Sequence, residues 1–190
     1  MRTRKKVAAL VVASVLAIVV SLTLAGCVQP SPRVIPTSAP STKPVFASDP
    51  AALAAAKKAF KGYLSVSDEV AHDGGSEVSR LVPLDSASQF KRDTKSFAEM
   101  HAEGHHTIGD SEFSDVALQS SEVLNGKAQV VAYICMQIGG TQLLDSTGAN
   151  VGANRPLAVP LEVSFVSRAI GDTTLLVDRS DTWTGTDFCS

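Results

Sequence analysis

Three histidines, His101, His105 and His106, fall within six residues and are flanked by Glu99, Glu103 and Asp110. They form the densest group of proton carriers or metal ligands in the chain. His101 and His105 are four residues apart, the spacing that puts two imidazoles on one helix face for zinc. Gly104 stands between them and favours ending the helix first, and no Glu directly follows the first His to act as a base. The pattern therefore predicts a solvated helix end with histidines near its negative pole, and no metal or other cofactor. No nucleophile elbow and no phosphate loop is visible, and Gly74-Gly75 and Gly139-Gly140 read as breakers.

Charge narrows the partners. Residues 1–26 hold Arg2, Arg4, Lys5 and Lys6 and no acid. The other 164 residues hold 13 Lys or Arg and all 19 Asp or Glu, a net charge of −6. A nucleic-acid groove needs clustered cations that release counterions, so nucleic acid is not an expected partner. The lysines at 57, 58, 61, 91 and 95 and Arg92 read as solvated faces of amphipathic helices.

Three segments must position whatever chemistry there is. Behind the basic head, Val7 to Ala25 is apolar apart from Ser14, Ser21 and Thr23, the pattern of an export signal or a membrane span. Leu24-Ala25-Gly26-Cys27 directly follows and resembles the bacterial lipobox. That resemblance implies a signal peptide over 1–26 and a diacylglyceryl anchor on Cys27, holding the chain on the extracytoplasmic face of the cell membrane. Val28 to Pro50 contains six of the nine prolines. It reads as a tether over 27–48, able to reach on the order of 70 Å when extended.

The remaining stretch, 49–190, has the length of one domain. Asp49 is expected to cap a helix with Pro50 in its first turn, on the stripe Leu53, Ala56, Phe60, Tyr63, Leu64 and Val70. Asp73-Gly74-Gly75 ends it. Ser76 to Val82 reads as a second, short helix closed by Pro83, and Asp85 as the cap of a third that carries Phe90, Phe97, Ala98 and His101. Strands follow: Phe113–Leu124 and Lys127–Ile138 about the turn dipeptide Asn125-Gly126, then Thr141–Asp145, Val159–Ala169 and Thr173–Trp183. Lys127–Ile138 is apolar on both faces and is expected to be a central strand. In an exported domain, Cys135 and Cys189 are expected to form a disulfide.

Helices first and an antiparallel meander after them predict an α+β fold, three N-terminal helices on a curved sheet. The Phe60-Lys61-Gly62-Tyr63-Leu64 helix end, the Asp73-Gly74-Gly75 break, the final Asp181-Thr182-Trp183-Thr184-Gly185 and the two cysteines together resemble the nuclear-transport-factor-like cone fold of actinobacterial envelope lipoproteins. That resemblance implies a pocket between helices and sheet lined by Tyr63, Asp68, Tyr133 and Trp183. The expected function is non-catalytic: a binding or assembly module for an envelope protein, an apolar small ligand or a second copy of itself. The alternative is an isomerase or dehydratase working in the cone.

Overall fold

A computed structural model describes residues 43–189. The signal segment, Cys27 and most of the tether lie outside these residues. Helix α1 spans Asp49–His72, α2 spans Ala87–Ala102, and all the strands follow: β1 His106–Ile108, β2 Glu112–Leu124, β3 Lys127–Gln137, β4 Gln142–Leu144, β5 Ala158–Ser167 and β6 Leu175–Thr182. The long strands form one antiparallel sheet in the order β2-β3-β5-β6, and β1 pairs with β4 in a separate two-stranded sheet.

This corrects the expectation of three helices on a single cone-like curved sheet. Among the described residues there are two α-helices and two sheets. The stretch expected as a second helix supplies only a 3-10 turn, Val78–Leu81. Glu77 before it is left-handed at φ 59°, Gly74 and Gly75 also have positive φ, and Pro83 follows closely. Too few residues remain to nucleate an α-helix. Arg80 ties the turn back to α1 through Glu69 and, at 3.6 Å, Asp73.

Helix α1 forms because its run is rich in alanine and its N-terminus is capped. Ser48 is the cap, one residue ahead of Asp49, and accepts a 3.4 Å hydrogen bond from the Ala51 amide. The buried face is Ala52, Ala56, Phe60, Tyr63, Leu64, Val70 and Ala71. It meets the inner face of the sheet, where Ala128, Val130, Ala132 and Ile134 of β3 face the same core as Leu161, Val163, Phe165 and Val177. Ahead of the helix, Val45 and Phe46 pack against that core. After the helix the chain turns on Gly75, where a Cβ would lie 2.2 Å from the Phe97 carbonyl oxygen, so α2 passes only because the residue has no side chain.

The β2–β3 hairpin turns on Asn125 (φ 53°) and Gly126 (φ 77°), the left-handed pair that Asn-Gly supplies. Its partner turn, between β5 and β6, lies at the same end of the sheet. The Gly171 amide donates to the Gly126 carbonyl at 2.9 Å. At the β6 edge the segment before α2 pairs with the strand: Val177 donates to Leu84 and Ser86 donates to Val177, at 2.9 and 2.8 Å. The β2 edge is broken by register shifts at Ser114/Ala117 and Leu118/Ser120, with Asp115 left-handed in the first.

Candidate functional site

The residues that sequence reasoning grouped in one pocket occupy three places. Tyr63 points into the seam between α1, α2 and β6. Its hydroxyl donates to both Asp93 carboxylate oxygens at 3.3 and 3.2 Å. Gln89 donates to Asp93 at 2.9 Å, and Arg92 donates to the Gln89 side-chain oxygen at 2.6 Å and to the Asp178 carbonyl at 2.6 Å. Asp85, expected as a helix cap, is 5% exposed instead, and Ser86 caps α2 by accepting from the Gln89 amide at 3.3 Å.

The Asp85 carboxyl has no conventional donor within reach. An ionised carboxylate left this way is costly, so the group holds its proton, and protonated it donates to Asp93. Burial, then the negative charge of Asp93, pushes its pKa up to about 8. Burial raises Asp93 as well, opposed by the hydrogen bonds from Gln89, Asp85 and Tyr63 and by the Arg92 charge. Tyr63 is pushed up by burial and by the two carboxylates. A carboxyl pair sharing a proton beside a phenol has the ingredients of acid–base chemistry, but none of the clefts described below includes Asp85, Asp93 or Tyr63 in its lining.

Asp68 faces elsewhere. It accepts from the Ser111 amide at 2.8 Å and the Ser111 hydroxyl at 2.9 Å, fastening the start of β2 to α1. Beside it is an open cleft of about 580 Å³ bordered by Lys61, Glu69, Asp110, Glu112 and Phe113. Tyr133 and Trp183 do meet, on the outer face of the sheet, with ring centroids 4.9 Å apart, and Phe188 lies 5.8 Å from Tyr133. Cys135 and Cys189 are disulfide-bonded there, with 5.3 Å between Cα atoms. The segment after β6 therefore folds back over β3, which is central, as its two apolar faces predict.

The histidines surround a shallow depression of about 440 Å³, and His72 joins them. His72 and His101 each face a backbone carbonyl, Gly109 at 2.8 Å and Gly74 at 3.2 Å, while His105 faces Glu103 at 2.9 Å. The ring nitrogens of these three face different partners. Among the described residues no group of three His, Cys, Asp or Glu could hold a metal ion.

A third cleft, of about 550 Å³, runs along α1. Ala51, Ala55, Ala59 and Gly62 of the helix line one side, Phe46, Pro83, Leu84 and Leu175 add apolar surface, and Lys58, Arg168, Thr173 and Thr174 are its polar lining. Sequence reasoning missed it, though the small residues recur at the helical interval of three or four.

No protein-family model and no curated protein matches the chain. Among solved structures it is similar to the crystal structure of the intermembrane space region of chloroplast protein ARC6, with 12% identity and a TM-score of 0.49, over 68% of this chain and 95% of that chain. A likeness this distant carries no argument about function. Among the described residues no helix is long and apolar enough to cross a membrane.

Proposed function

We propose that the chain is an extracytoplasmic lipoprotein, anchored through a diacylglyceryl group on Cys27, whose domain binds an amphiphile with an apolar chain and an anionic head. The groove along α1 carries this reading. The small residues of α1 leave room for an apolar chain, and most of the lining is apolar. Lys58 and Arg168 in the polar lining supply the complement to an acidic head group. The anchor is supported by the lipobox-like run ending at Cys27 and by the Cys135–Cys189 disulfide, a bond that persists in oxidising compartments. An isomerase or dehydratase would need a substrate path to the buried carboxyl pair, and none of the clefts described above has Asp85 or Asp93 in its lining.

Two experiments test the reading separately. Cys27→Ala should release the protein from the membrane fraction, and retention would remove the anchor. Purified Cys27→Ala protein, which carries no acyl chain of its own, should be labelled on α1 by an added photoreactive fatty acid, and Ala55→Trp, which fills the groove, should abolish that label. Labelling that survives Ala55→Trp would remove the groove as the binding site.

A further inference from the structure

The domain exposes apolar side chains at both ends of the sheet, and the two ends differ in charge. At one end Ile170 is 76% exposed, Leu124 54% and Val82 55%. Leu124 and Ile170 border the Asn125-Gly126 turn and the β5–β6 turn, which the Gly171–Gly126 hydrogen bond holds together. A Cβ on Gly126 would come within 2.9 Å of the Ile170 side chain, so the two tips form one close-packed ledge. Val82 is drawn to this end because Arg168 donates to the adjacent Pro83 carbonyl at 3.0 Å.

Cations accompany these side chains. Lys127 donates to the Arg168 carbonyl at 3.4 Å, and Lys43 shares a depression with Val123, Gly126, Ile170 and Gly171. Glu122 is the exposed acid on this end of β2, and exposed Asp49 shares a depression with it. Asp172 is the acid of the β5–β6 turn, and its carboxylate accepts from the Thr174 amide at 2.8 Å, with the Arg168 charge beside it. The opposite end exposes Leu157, Val151 and Ile108, but there Arg155 is turned inward onto Thr141, and Lys61 shares its cleft with Asp68, Glu69, Asp110 and Glu112.

We propose that this end, with Val82, Leu124 and Ile170 ringed by Lys43, Lys127 and Arg168, seats on an anionic lipid surface. The proposal rests on the anchored reading above. Apolar tips that enter the head-group region beside cations are the chemistry of interfacial binding. Three side chains would hold a free protein weakly, but a tether makes docking intramolecular and raises the effective concentration of the surface. The acidic remainder of the domain is repelled by the same lipids and so favours this end over the other.

The test uses the full chain reconstituted in vesicles of phosphatidylcholine and phosphatidylglycerol carrying bromines on the acyl chains. In a Trp183→Phe background, Ile170→Trp or Leu157→Trp provides a single reporter at either end. Ile170→Trp should be quenched about threefold more than Leu157→Trp, the contrast expected of shallow one-sided insertion, and Lys43→Glu with Lys127→Glu should remove the difference. Equal quenching at both ends, or none at Ile170→Trp in chains that float with the vesicles, overturns the docking alone. Chains that fail to float overturn the anchor and the docking together. An unquenched but blue-shifted Ile170→Trp in a protein that sediments as a dimer assigns the ledge to a second copy and overturns the lipid surface.

Discussion

Between the sheet and its helices the chain buries Tyr63, Asp85, Gln89 and Asp93 in a network held by hydrogen bonds, whereas on the opposite face Tyr133, Trp183 and Phe188 gather beside a covalent link. The inner arrangement depends on one proton staying in place. The outer one depends on an oxidising environment. Two faces of the same four strands are thus sensitive to different solution variables, pH on the inside and redox potential on the outside.

Breaking the outer link should have the largest effect. The disulfide spans 54 residues, and by the chain-entropy account removing it with Cys135→Ala and Cys189→Ala costs about 4 kcal/mol. Urea denaturation of the oxidised protein against the double variant measures this, and coincident curves would show that the link merely decorates the fold. Next comes the inner face. Tyr63→Phe leaves Asp93 without the phenol donor and should cost about 2 kcal/mol, the range for a hydrogen bond to a charged group, measured in the same titration.

Acidity sharpens the contrast further. Asp85 titrates near 3.8 when unfolded and near 8 in the fold, so the folded state binds the extra proton between those values. The stability Asp85 supports is complete below about pH 4 and is lost as pH climbs through about 8. Asp85→Asn keeps the neutral, donating form and should flatten that decline, with a change of only about 1 kcal/mol at pH 5. An unaltered pH profile in Asp85→Asn would mean that another group carries the proton. The smallest effect is expected at Tyr133→Leu, which removes the two aromatic pairings with Trp183 and Phe188, each worth about 0.5 kcal/mol when the leucine keeps most of the apolar contact. Trp183, the only tryptophan, reports on this face directly: reduction should red-shift its emission before the helices melt, as followed by far-ultraviolet circular dichroism.

Local signals in the sequence are strong where the backbone itself demands a residue type. Asn125-Gly126 set the β2–β3 hairpin, Gly74-Gly75 ended α1, and two-faced hydrophobicity placed β3 in the sheet interior. Pairing the cysteines needed only their number and the expected compartment. The carboxyl network is hidden in the sequence because Asp and Gln side chains are ordinarily exposed. Gln89 and Asp93 occupy the inward face of α2 together with Phe97, and Asp93 stands three residues after Phe90 and four before Phe97, on the apolar stripe. Asp85 resembles a cap in sequence, and only tertiary packing reveals that Ser86 takes that role. β1 was missed because three residues paired with a distant partner leave little periodicity to detect.

The finishing of the sheet at its two edges bears on how the domain behaves when many copies are crowded together. Unpaired strand edges are templates for further strands, and they drive aggregation. Here the β6 edge is paired at Val177 by Leu84–Ser86 of the same chain, with Ser88 and Arg92 on the next carbonyl, Asp178, and β2 is kinked twice and carries Glu112, Asp115 and Glu122 along its exposed positions. A neighbouring copy would have to strip away the first or straighten the second before it could extend the ladder. Concentrated on a surface, such molecules can lie side by side without their sheets growing into one another.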